Sequence, residues 1–436
     1  MFEVSRDRRM LHAGSARLKI QSVTTRPRKF PRRSPIARSQ QSFVILPVTK
    51  GSAVSDPETP STSIPPTRAD AASTGLQIGV VRESGSDERR VALVPRAVAS
   101  LIAKGLDVVV ESGAGAAALM SDDLYVAAGA TIGDAWRADV VLKVAPPTDG
   151  EIARLKSGST LIGFLAPRNA DNKISSLREA GVTGYAVEAI PRISRAQAMD
   201  ALSSQANVAG YKAVILAASL STRFFPMLTT AAGTVKPAGV LVLGVGVAGL
   251  QALATARRLG GRATGYDVRP EVADQVRSVG AQWLSVGIDA QGEGGYAREL
   301  TDDEVAAQQT ALETAISTFD VVITTALVPG RPAPRLVTAA AVHGMKPGSV
   351  VIDMAGETGG NCELTVPGET VVIGGVTIAS PLNLPSTMPE HASELYSKNL
   401  TALLELLVRN GQLDPDFSDD VVALSCVTRE PIMNRI

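Results

Sequence analysis

Apolar residues come in short runs at residues 78–81, 108–111, 140–144, 161–165 and 183–189. Between them lie stretches such as 95–103 and 172–180, whose apolar residues fall at helical spacing. Strands that alternate with helices are joined by crossovers, so this part predicts a mostly parallel sheet. A second series starts at Val240 and runs through residues 263–267, 281–286, 321–326 and 350–354. Two α/β domains in tandem are the simplest account. Long helical patterns over 199–224 and 389–408 reach far enough to bridge them, which predicts that the chain returns to the first domain once the second is complete.

Two windows, 237–256 and 370–389, carry no charge, and each is about 20 residues, the length of a membrane span. Gly244, Gly246 and Gly249 put a turn inside the first, and Gly374, Gly375, Pro381 and Pro385 break the second. Neither predicts a membrane helix, and no secretory signal pattern is present. The 436 residues suffice for two domains, and 45% hydrophobic content for two cores. Two cysteines exclude a disulfide framework, and 4% aromatics make a base-stacking platform a poor fit.

The formal net charge of zero hides an asymmetry. Residues 1–53 hold twelve Lys/Arg against Glu3 and Asp7, so the remainder is acidic by ten charges, which argues against nucleic acid as a partner. That basic, Ser-rich stretch resembles an organelle transit peptide in composition, although prolines at 27, 31 and 35 deny it an amphipathic helix. The alternative is an over-long translation start, with a natural start near Val54. Residues 51–75 are rich in Pro, Ser and Thr and predict a flexible leader.

After the strand at 240–243 comes Gly244-Val245-Gly246-Val247-Ala248-Gly249, followed by a helix. In such a turn the first glycine permits the bend, the second lets a pyrophosphate approach the backbone, and the third lets helix pack on strand. The helix N-terminus faces the phosphate charge. Asp267, 18 residues beyond Gly249 at the end of the next strand, is placed to accept from an adenosine ribose hydroxyl and to repel a 2′-phosphate. NAD(H) is therefore expected over NADP(H), with Arg269 tempering that preference. The expected fold class is α/β, two Rossmann-like domains with parallel sheets. The expected division is an N-terminal extension (1–75), a first domain (76–200 with 381–410), an NAD-binding domain (201–380) and a tail (411–436), the last a tether or disordered end.

Of the three histidines, His12 lies in the leader, and His343 and His391 have no Cys or acid at ligand spacing, so no metal site is expected. Cys362 is expected to be a buried packing residue. Residues 191–205 gather polar side chains at the start of the long helix. Asp200 and Ser203 there form either a helix cap or, with Arg192 and Gln197, a face toward a ligand. The loop 287–300 is glycine-rich and carries Tyr296, so it is either a disordered excursion or a mobile lid.

Four segments carry a specific resemblance: residues 244–252, 191–200, 323–331 (Ile-Thr-Thr-Ala-Leu-Val-Pro-Gly-Arg) and 355–361 (Ala-Gly-Glu-Thr-Gly-Gly-Asn). Together they resemble the NAD(H)-binding subunits of proton-translocating nicotinamide nucleotide transhydrogenases, over about residues 76–408. Residues 389–396 and the lack of a span resemble the split bacterial form. The resemblance implies Re/Si-specific hydride transfer from NADH to NADP⁺ held on a partner subunit, driven by inward proton movement. It implies membrane-spanning and NADP(H)-binding partner chains, a homodimer, and a peripheral place on the cytoplasmic face of a bacterial inner membrane. Arg192, Gln197, Asp200 and Ser203 would hold the nicotinamide end. Gly244, Val245, Gly246, Val247, Ala248, Gly249, Asp267, Val268, Arg269, Thr325, Ala326 and Leu327 would contact NAD(H), with Tyr296 at the tip of a closing loop. Candidate dimer surfaces are the two long helices and residues 371–378.

Hydride transfer between two nicotinamide rings moves no separate proton at the reacting carbon, which agrees with a site lacking histidine. The related alanine dehydrogenases are the alternative, with oxidative deamination by NAD. Arg90 and Lys143 match their substrate clamp, but Ala166 stands where they keep a catalytic His and Glu357 where they keep an Asp. A non-catalytic NAD-sensing module on the same fold is the second alternative.

Overall fold

A computed structural model describes residues 75–168, 171–286, 301–327 and 332–429. The first sheet holds β1 (Gln77–Val80), β2 (Asp107–Val110), β3 (Thr131–Ile132), β4 (Val140–Leu142), β5 (Thr160–Gly163) and β6 (Thr183–Ala186). They lie in the order β3-β2-β1-β4-β5-β6, all parallel. After an exposed hairpin, β7 (Leu228–Thr230) and β8 (Gly233–Val235), the second sheet repeats the plan. It comprises β9 (Gly239–Leu243), β10 (Arg262–Tyr266), β11 (Gln282–Trp283), β12 (Val321–Thr324), β13 (Val350–Asp353), β14 (Thr370–Ile373) and β15 (Val376–Ala379). Its order is β11-β10-β9-β12-β13-β15-β14, parallel except for the β14 edge. Each sheet reverses its winding once, between β1 and β4 and between β9 and β12, where crevices form beyond the strand ends.

The central strands are buried on both faces, so they read as near-continuous apolar runs. In the second sheet, Val240, Val242 and Ile323 face Ala213, Val214 and Ala217 of the long helix Ala201–Leu220. Their neighbours Leu241, Leu243 and Val322 face Leu312 and Ile316 on the other side. The two-residue period of a strand sorts adjacent residues onto opposite layers.

The chain returns to the first sheet through the helix Pro389–Leu407. Its Leu400, Leu403, Leu404 and Leu407 are buried against Ile78, Val80, Val140 and Leu142, and each such leucine contributes roughly 1.5–3 kcal/mol. The Ser393 and Ser397 hydroxyls of this helix accept from the Val91 and Val94 N–H groups at 3.0 and 3.2 Å.

The tail departs from expectation. Residues 411–429 are neither tether nor loose end, because the short helix Asp420–Ser425 buries Val421 and Val422 in the first core. Thr428 Oγ1 accepts from the Gly184 N–H at 2.9 Å. The long helix is also shorter than its pattern, since a 3-10 turn, Ser194–Met199, precedes it. Residues 371–378 fall on the edge hairpin β14–β15, with Val372 exposed.

Candidate functional site

The second crevice is built from backbone. β9 ends at Leu243, and Gly244 turns the chain at φ +90°, its N–H donating to Tyr266 O at 2.8 Å. A Cβ at Gly244 would meet Ala326 N at 2.9 Å and Thr325 Oγ1 at 3.0 Å, and one at Gly249 would lie 2.0 Å from Gly244 O. A Cβ at Gly246 would meet nothing within 4 Å, which leaves an open cradle at the start of the helix Val247–Arg258. That helix has no side-chain cap, so its first amides point into the crevice as donors. Val245 is buried, while Val247 is exposed and Ala248 half-buried beside the cradle. This donor set, with no carboxylate in the first turn, fits an anionic pyrophosphate.

From β12, the Thr325 hydroxyl donates to Gly244 O at 2.8 Å, and Leu327 beyond it is exposed. Asn361, fully buried, fixes this loop in a way no sequence pattern announced. Its Oδ1 accepts from the Ala326 N–H at 3.1 Å, and its Nδ2 donates to Ala326 O and Pro334 O at 2.9 and 2.8 Å.

At the end of β10, the Asp267 carboxylate accepts from the Val245 N–H at 2.7 Å and from Arg269, while Val268 between them is exposed. Burial pushes this carboxyl up, but the Arg269 guanidinium and the two backbone donors outweigh it and hold it below the usual Asp range.

The long helix joins this crevice to the first domain. Gly210 sits mid-helix, where glycine costs about 1 kcal/mol relative to alanine. The cause is contact, since a Cβ there would lie 2.1 Å from Ala248 O in the glycine turn. Asp200 caps the same helix, accepting from the Ser203 N–H at 2.9 Å and from the Ser203 hydroxyl at 2.6 Å. The capping reading of this pair is therefore realised, and both residues stay half-buried. Ser203 lies two turns from Gly210, about 10 Å along the axis. Arg192 and Gln197 are exposed on the segment leading into the helix. Tyr296 and residues 328–331 lie outside the described residues.

The first crevice, beyond β1 and β4, is instead closed by charge. Lys143, 1% exposed, donates to Glu83 Oε2 at 2.5 Å and lies 3.3 Å from Glu151 Oε1 without hydrogen-bond geometry. Burial pushes the Glu83 carboxyl up despite this ammonium. Arg90 is held by Glu88 and by Gln205 Oε1 at 2.9 Å. Burial raises Glu88, but the Arg90 bonds win and hold it low.

Ala166 carries φ +50°, its N–H and that of Leu165 donating to Glu188 Oε1 at 2.5 and 2.9 Å. Cys362 is buried, and His343 and His391 are exposed. Among the described residues no group of His, Cys, Asp and Glu could hold a metal, and no helix is long and apolar enough to cross a membrane.

Family models for the alanine dehydrogenase/PNT N-terminal domain and C-terminal domain match residues 79–209 and 213–434. The chain belongs to the alanine dehydrogenase/PNT family. It is 44% identical over 371 residues to the first of the chains that make up the NAD(P) transhydrogenase alpha subunit of Rhodospirillum rubrum, covering 81% of this chain and 97% of that one. A solved transhydrogenase from Sinorhizobium meliloti superposes with TM-score 0.73 at 45% identity, covering 80% and 97% of the two chains. A solved L-alanine dehydrogenase follows at TM-score 0.69 and 27% identity, covering 81% and 96%.

Proposed function

We propose that this chain is the NAD(H)-binding subunit of a proton-translocating transhydrogenase. In this reading it passes hydride from NADH to NADP⁺ on a partner subunit, coupled to inward proton movement through a membrane-spanning partner. The observation that carries the reading is the open glycine turn at the second crevice, in a chain 44% identical to nearly the whole of a protein named as a transhydrogenase subunit. When bound, the dihydronicotinamide supplies the hydride.

The residues of this chain bind and orient. The amides at 246–248 and the helix N-terminus face the pyrophosphate, and Asp267, Val268 and Arg269 take the adenosine end. Thr325, Ala326 and Leu327, fixed by Asn361, flank the route to the ring. Arg192, Gln197, Asp200 and Ser203 hold the nicotinamide, their distance from the turn fixed by the long helix packed on it at Gly210. Tyr296 closes over the bound nucleotide. Positioning is the main contribution, since no proton is transferred at the reacting carbon.

The two alternatives fare worse. Amino-acid dehydrogenation needs a proton shuttle and free cations for a carboxylate, whereas Ala166 offers a methyl group and Lys143 is enclosed by Glu83 and Glu151. A mere NAD sensor gives no reason for the polar cluster at 192–203. We place the chain peripherally on the cytoplasmic face of a bacterial inner membrane, as a homodimer. The exposed Phe224, Met227, Leu228 and Val235 at the β7–β8 hairpin offer a surface for a second copy, since an isolated two-stranded hairpin is marginal in water.

The test is hydride transfer from NADH to an NADP⁺ analogue, with the chain added to membranes holding the partner subunits but lacking this one. Restored transfer that fails in Gln197→Asn or Asp200→Asn supports the reading. NADH consumption only with pyruvate and ammonium would replace it with amino-acid dehydrogenation.

A further inference from the structure

The Asp267 carboxylate, 8% exposed, accepts four hydrogen bonds. Two come from the main chain: Val245 N–H to Oδ2 at 2.7 Å and Arg269 N–H to Oδ1 at 3.0 Å. The other two come from the Arg269 guanidinium, Nε to Oδ1 at 3.0 Å and Nη2 to Oδ2 at 3.1 Å. A carboxylate offers about four lone-pair positions, so these donors fill it. The amide donors are fixed by the turn and the strand end. The guanidinium is 45% exposed on a flexible stem, so it is the donor that can leave.

We propose that Arg269 sets the nucleotide specificity of this site. In the free chain its fork occupies the acceptor positions on Asp267 that an adenosine ribose hydroxyl needs, and once displaced it supplies a cation beside the 2′ position. The inference rests on the NAD(H) reading above and deepens it. Two opposed effects follow. The fork competes with the ribose of either nucleotide, which weakens NADH binding. The released cation offsets the repulsion between Asp267 and a 2′-phosphate, which strengthens NADPH binding. The Arg269 and Asp267 pair therefore narrows a discrimination that Asp267 alone would make wide.

Dissociation constants for NADH and NADPH, measured by calorimetry on the full chain at one ionic strength, test this with Arg269→Gln and Arg269→Lys. Arg269→Gln is expected to bind NADH about threefold tighter and NADPH about tenfold more weakly. Arg269→Lys keeps the charge but loses the fork, so it is expected to gain on NADH and to hold NADPH within about twofold of wild type. Parallel shifts of both nucleotides in both variants would overturn the proposal and leave the site standing, Arg269 then acting only as a general phosphate cation. Binding of neither nucleotide by wild type or variants would remove the site and the proposal together.

Discussion

The two sheets share a strand order and each opens a crevice where its winding reverses, yet the crevices differ in kind. Beyond β1 and β4 the space is filled by side chains of this chain, with Lys143 between Glu83 and Glu151 and Arg90 on Glu88. Beyond β9 and β12 it is lined by glycine, backbone amides and an uncapped helix N-terminus. The same topology thus yields one crevice that satisfies its own charges and one that leaves donors for a ligand. Topology decides where a site can form, and local residues decide whether one is there.

The contrast can be broken from either side. The largest effect belongs to the closed crevice. Lys143→Met leaves Glu83 and Glu151 facing each other without a cation, and should cost about 3–5 kcal/mol of stability by denaturant unfolding. The variant should still bind NADH through the second crevice wherever it is folded. In the open crevice, Gly249→Ala forces a Cβ against Gly244 O, and should cost about 1–3 kcal/mol and abolish NADH binding in calorimetry.

Gly246→Ala sharpens the distinction, because its Cβ meets no protein atom. Its melting temperature should stay at the wild-type value while NADH affinity falls about tenfold, the equivalent of one charge-assisted hydrogen bond. Asn361→Ala removes three hydrogen bonds to the main chain and should cost about 2 kcal/mol, with a smaller loss of NADH affinity.

The smallest effect is on pH. The folded-state pKa of Asp267 lies below that of the unfolded chain, about 3.9, so its contribution is complete above that value and is lost as pH falls through the folded pKa. Asp267→Asn should remove that part of the acid dependence of thermal unfolding and leave the curve above about pH 5 parallel to wild type.

The central strands are legible in the sequence because residues such as Val240, Leu241, Val242 and Leu243 are buried on both faces and leave an unbroken apolar run. Hidden from such a reading are β3, whose Thr131 and Ile132 are both exposed, and the β7–β8 hairpin, whose exposed threonines carry no alternating pattern. The tail escapes it too, because Val421 and Val422 become apolar partners only when the first core reaches them.

In the candidate site, the glycine turn and Asp267 stand out by spacing. Gly210, Asn361 and the fork of Arg269 on Asp267 acquire meaning only through contacts between distant segments. A glycine inside an otherwise strong helix pattern is the one available hint, pointing to a close backbone neighbour at Gly210.

Hydrogen exchange of the full chain with and without NADH tests the contrast most directly. Slowed exchange is expected at residues 244–250, 267–269 and 325–327 and at the 194–203 segment, with residues 143–152 unchanged. Protection at 81–90 and 143–152, with the glycine turn unchanged, would place the ligand in the charge-filled crevice and contradict the account.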